Sequence, residues 1–168
     1  MREDVLKARG ISLLCTVLAA LLFAVGCGSG SDDGDIEVQT GSLSKAEFIE
    51  KADAICKAAR TEFLAKYSSF VQAHKTEFSD PQKQEALLEE VLDTLLAPNV
   101  EGQIEQISAL GAPNGYATQV ETFLNDLQIR LGEAQDDLAG LTATATPFAK
   151  AENAAKQAGM KGCSESFS

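Results

Sequence analysis

From Val120 to Leu141 apolar side chains return in alternating steps of four and three: Val120, Leu124, Leu127, Leu131, Ala134, Leu138 and Leu141. That period lays a stripe along one side of an α-helix, and the stripe has to be covered by other helices. Strand alternation has a period of two and cannot produce it. The seam therefore commits the chain to helix-on-helix packing, with Gly132 and Gly140 as local weak points.

The same rhythm recurs on either side of it. Ser44 and Glu47 form a capping box, and Leu43 is placed to staple onto Phe48. Apolar or aromatic positions then follow at Phe48, Ala52, Ile55, Ala59, Phe63, Tyr67, Phe70 and His74, which predicts a first helix reaching Phe78. Asp80-Pro81 reads as an N-cap and a first helical position. A second helix carries Leu88, Val91, Leu92, Leu95 and Leu96. Pro98 either ends it or kinks it before the pattern resumes at Val100, Ile104, Ile107 and Leu110. Gly111-Ala112-Pro113-Asn114-Gly115 is a break. After the seam, Thr142 to Thr146 reads as a linker and Pro147 opens a short last helix through Ala158. Gly159 is its expected C-cap, with Met160 packing back. Nothing reads as a strand. The expected fold is all-α, an antiparallel helical bundle of four main helices or five pieces over residues 43–168.

The start of the chain has a different character. A short charged segment precedes an uncharged run over residues 11–25, which suits a signal peptide and is short for a membrane span. The run ends in Ala24-Val25-Gly26-Cys27, which resembles the lipobox of bacterial lipoproteins, although Ala24 stands where Leu is usual. The resemblance implies cleavage after residue 26 and attachment of lipid to Cys27. An ordinary cleavage site with an incidental Cys27 and an uncleaved anchor are the competing readings. Gly28-Ser29-Gly30-Ser31-Asp32-Asp33-Gly34-Asp35 favours the lipoprotein, because it reads as a flexible polar tether over residues 27–42. Acyl chains hold by about 0.8 kcal/mol per buried methylene. The expected location is the extracytoplasmic face of the cell membrane.

Charge narrows the partners. The chain carries a net charge of −11, and the leader accounts for 3 of its 14 basic and 2 of its 25 acidic side chains. No basic stripe occurs, so nucleic acid and anionic lipid surfaces are not expected partners.

Of four cysteines, Cys15 leaves with the leader and Cys27 takes the lipid. Cys56 and Cys163 remain, and outside the membrane two leftover thiols most often pair. Ala52 and Ala59, flanking Cys56, would let the C-terminal segment come close. The stretch Phe48-Ile49-Glu50-Lys51-Ala52-Asp53-Ala54-Ile55-Cys56, with Phe148-Ala149-Lys150-Ala151 and the closing Gly162-Cys163, resembles a group of uncharacterised small helical lipoproteins and secreted proteins of high-GC Gram-positive bacteria. That resemblance implies an envelope address and the Cys56–Cys163 pairing, and no activity.

No chemistry-bearing set emerges. His74 is the only histidine, and with Glu77 it makes one i, i+3 pair, whereas a zinc or iron site wants three or four ligands. Glu89-Glu90 and Asp136-Asp137 are neighbours about 100° apart on a helix and read as solvated surface. No Ser-His-Asp set, phosphate loop or haem signature occurs, so neither an enzyme nor a cofactor is expected. Phe63, Phe70, Phe78, Phe123 and Phe148 read first as core and second as a ligand pocket. The expected function is a non-catalytic, membrane-anchored structural or protein-interaction role with an unidentified envelope protein. The alternative is a binder of a small apolar or cationic ligand in the bundle core.

Overall fold

A computed structural model describes residues 35–142 and 146–167. The leader 1–26, the lipid site Cys27, most of the expected tether and the centre of the linker after Thr142 lie outside the described residues, as does the side chain of Leu141. The described residues belong to one compact unit spanning Gly34–Ser168, and they are all-α, with no strand among them.

Helix α1 (Lys45–Ala73) starts where its capping box dictates. The Glu47 amide donates to Ser44 Oγ at 3.3 Å, and the Ser44 amide donates to Glu47 Oε2 at 2.9 Å. The serine hydroxyl holds the Glu47 carboxyl below its usual range. Leu43 packs against the core and Phe48 is fully buried. The burial expected along the whole stripe is confined to Phe48, Ala52 and Cys56. Farther on, the aromatic residues pair with one another while half-buried: Phe63 stacks on Tyr67 at 5.8 Å and Phe70 on His74 at 4.5 Å. The helix also stops short of the expected Phe78. It ends at Ala73, and His74–Ser79 is a turn that folds Phe78 edge-on against Phe70. Asp80 then caps α2 (Pro81–Val91) by accepting the Gln82 amide at 3.0 Å.

Pro98 does not end the second helix; the distortion falls on the turn before it. A π-helical turn over Leu92–Leu96 joins α2 to α3 (Ala97–Ala109), and the Ala97 amide donates to the Leu92 carbonyl five residues back. Proline has no N–H for the carbonyl four residues earlier, and its ring crowds that carbonyl. Widening the preceding turn absorbs both problems. The buried residues of α2 are Leu87 and Val91, with Leu88 only half-buried, so its covered face is rotated from the expected one.

The loop after α3 receives the segment that precedes α1. Ala112 donates to the Gln39 carbonyl and Gly41 donates to the Ala112 carbonyl, each at 2.8 Å, forming one isolated parallel bridge. Both contact glycines are required there. A Cβ on Gly41 would stand 2.5 Å from the Gly111 oxygen, and Gly111 has a φ of 66°. Upstream, the Ile36 amide donates to Asn125 Oδ1 at 2.7 Å and the Val38 amide to Glu121 Oε1 at 3.2 Å. Two residues of extended chain advance about as far as four residues of helix, so the segment runs antiparallel along the next helix in register. Within the span read as tether, the part from Ile36 to Gly41 is therefore held against the bundle.

That helix, α4 (Ala117–Asp136), buries Val120, Phe123, Leu124, Leu127, Leu131 and Ala134. The seam does not continue unbroken through Leu138 as expected. It stops at Asp137, whose carboxylate accepts the Gly140 amide at 3.0 Å and starts α5 (Leu138–Thr142). A residue read as solvated surface is thus a helix cap, while Gly132 passes inside α4 without a break. Helix α6 (Ala149–Ala158) begins two residues after Pro147 and ends at Gly159, with φ of 80°. Met160 donates to the Ala155 carbonyl and Gly159 to that of Lys156, a Schellman ending that buries Met160 completely. A last short helix, α7 (Lys161–Ser164), was not expected. Helix α6 packs on α4, and α7 on α1.

Candidate functional site

Cys56 on α1 and Cys163 in α7 form a disulfide with Cα atoms 4.9 Å apart, and both are fully buried. The close approach comes from small neighbours. A Cβ on Gly162 would lie 2.8 Å from Asp53 Cβ. Ala52 is fully buried beneath the contact, while Ala59 is half-buried. Asp53 Oδ1 accepts the Cys163 amide at 3.1 Å, and the Arg60 guanidinium donates to the Glu165 carbonyl. Asp53, Cys56 and Arg60 share one helical face, which holds the C-terminal segment along α1.

Beyond this clasp, the same segment closes one side of an apolar cleft of about 270 Å³. Phe63 and Leu64 of α1, Leu96 of the π turn, and Phe148 and Phe167 form its walls. Phe148 and Phe167 lie 5.1 Å apart, and Leu64 is half-exposed. Gln103 of α3 also lines it, although that side chain is only 2% exposed. Its Nε2 donates to Asn99 Oδ1 at 3.0 Å, and Asn99 Nδ2 donates to the Ala59 carbonyl at 2.9 Å. Gln103 Oε1 is buried with no hydrogen-bond partner. A second cleft, of about 350 Å³, shares Pro147 and Phe148 with the first and is lined also by Ile129, which is 54% exposed.

The aromatic residues divide accordingly. Phe123 and Phe148 are buried, and Phe63, Phe70 and Phe78 are half-buried, with Phe63 and Phe148 reaching the first cleft. His74 and Glu77 bond each other, Nδ1 to Oε2 at 3.0 Å, which holds the Glu77 carboxyl below its usual range. Among the described residues no group of three or more His, Cys, Asp or Glu side chains is arranged to hold a metal ion. Glu89, Glu90 and Asp136 face solvent.

Asn99 and Gln103 were not singled out from the sequence. Gln103 did leave a signal: it stands three residues after Val100 and four before Ile107, a polar side chain on the apolar stripe of α3. Comparison with protein-family models, with curated proteins and with solved structures gives no match.

Proposed function

We propose that this chain is a lipoprotein precursor whose mature form is held on the outer face of the cell membrane by lipid on Cys27, and whose helical domain works by binding rather than by catalysis. The address is supported by the Cys56–Cys163 disulfide, a linkage that persists in oxidising compartments and is rare in the cytosol. Among the described residues no helix is long and apolar enough to cross a membrane, so anchoring is assigned to the segment before them. The main rods of the bundle are taken as α1, α2 with α3, α4 and α6, packed antiparallel. Membership of the high-GC Gram-positive lipoprotein group belongs to the same proposal.

The observation that carries a binding role is the cleft walled by Phe63, Leu64, Leu96, Phe148 and Phe167. It favours a small ligand over the protein contact expected first, because its floor reaches the buried Gln103. Arg60 among the lining residues, with no carboxylate beside it there, argues against a cationic ligand. Docking of an envelope protein is the second reading, favoured by Ile129, exposed beside the neighbouring cleft. Cell fractionation and leader mapping of Cys27→Ala test the address: the variant should carry no lipid, and should either leave the membrane fraction or keep its leader uncut. Retention as firm as wild type, with the leader cut at the same bond, would defeat it.

A further inference from the structure

We propose that the cleft between α1, α3 and the C-terminal segment holds a small neutral amphiphile, an apolar or aromatic body with one hydroxyl or N–H that donates to Gln103. The proposal rests on the reading of this cleft as the working site and adds the chemistry of its occupant.

The direction of the hydrogen bonds leads to it. The Ala59 carbonyl can only accept, so Asn99 must turn its NH2 group toward α1. Asn99 Oδ1 then faces Gln103, which has to present its own NH2 group in return. The Asn99 backbone carbonyl, 3.4 Å from the same Nε2, fixes that orientation a second time. A flipped Gln103 amide would set oxygen against two oxygens. The ladder therefore ends in an acceptor. Gln103 Oε1 is that end, buried and unpaired on a side chain lining the cleft. An acceptor sealed from water and left unmatched is costly, and a donor on the occupant removes the cost where the walls part enough to admit it.

The walls set the rest of the ligand. Phe63, Phe148 and Phe167 offer ring faces and edges to an apolar body. The one charged side chain of the lining, Arg60, already donates to the Glu165 carbonyl, and no carboxylate is present to balance a cation. A volume of about 270 Å³ lies just below the roughly 300–1,000 Å³ of sites for drug-sized molecules, which suits one ring with short substituents.

Phenol and toluene are matched probes, alike in size and differing in the donor. The chain from Gly28 to Ser168 contains the whole compact unit and its disulfide, and its amide spectrum reports both binding and folding. Both probes should bind, and phenol alone should shift the side-chain amide signals of Gln103. In Gln103→Met the ratio of phenol to toluene affinity should fall by about tenfold, since only phenol loses a partner. Leu64→Arg, at the half-exposed mouth, should weaken both probes together. If toluene binds in the cleft while the ratio and the Gln103 signals stay unchanged, the donor assignment is overturned and the cleft remains the working site. If neither probe binds, or both bind away from Gln103 and ignore Leu64→Arg, the reading of the cleft falls as well. The signals of Gln103 in the wild-type protein decide the matter even where Gln103→Met fails to fold.

Discussion

Tyr116 joins three parts of the fold with one side chain. Its hydroxyl donates to the Ala158 carbonyl at the end of α6, its ring meets Phe48 of α1 edge-on at 5.8 Å, and the Lys45 ammonium sits 4.3 Å above the ring. Burial, and secondarily the negative charge of Asp53, push its phenol up to about 12. A free tyrosine titrates near 10. Between those values the unfolded chain gives up a proton that the folded chain keeps, so the stability present below pH ~10 drains away toward pH ~12. The loss is of the order of 3 kcal/mol. Tyr116→Phe should start about 1 kcal/mol less stable at neutral pH and decline less steeply through this window. Denaturant midpoints of the two proteins measured across alkaline pH check this, and parallel decline would clear Tyr116 of the effect. At this scale the sequence was legible wherever a side chain serves its own neighbours, as with Ser44, Asp80 and Gly159. Tyr116 and Gln103 were not, because their roles depend on groups elsewhere in the chain: Ala158 is 42 residues from Tyr116, and Asn99 bonds Ala59 across 40.

Helices were legible from periodicity, and their ends less so. Phe70 and Phe78 continue the apolar rhythm across a turn, because the stripe records which residues avoid water and not whether the backbone stays helical between them. At Asp137 the opposite occurs: the seam runs on in sequence while a side-chain cap restarts the helix. The segment from Ile36 to Gly41 does alternate apolar and polar residues, at Ile36, Glu37, Val38 and Gln39, but the pattern is short and adjoins the polar run from Gly28 to Asp35. In the fold the segment's amides are met by helix side chains and one loop residue instead of a sheet. Two glycines separate packing from propensity. Gly132 lies inside α4 with nothing within 4 Å of an added Cβ, so Gly132→Ala should stabilise by about 0.5–1 kcal/mol. At Gly162 an added Cβ would meet Asp53 Cβ at 2.8 Å and Lys57 Cε at 2.9 Å. Gly162→Ala should therefore destabilise by about 1–3 kcal/mol, as α7 is forced off α1. Chemical denaturation of both variants gives the comparison, and equal effects would mean that α7 does not ride so close.

For the molecule as a whole, cysteine arithmetic yielded the one long-range contact that the sequence disclosed. The Cys56–Cys163 bond spans 107 residues, for which the chain-entropy estimate is roughly 4–5 kcal/mol. Reduction should lower the stability of the entire unit by an amount approaching that, in one cooperative transition. Thermal unfolding of the chain from Gly28 to Ser168, whose two cysteines are Cys56 and Cys163, measures it with and without reductant, and two titratable thiols in its oxidised form would refute the bond. The same linkage also governs how the domain answers a mechanical load. A pull applied between its two ends travels through the segment before Cys56, crosses the sulfur bridge and leaves through the few residues after Cys163. Leu96, Gln103 and Phe148 are enclosed by the bridge and lie off that covalent path while it is intact. Under such a pull the docked segment at Ile36 to Gly41 would peel first, and most of the cleft would keep its shape.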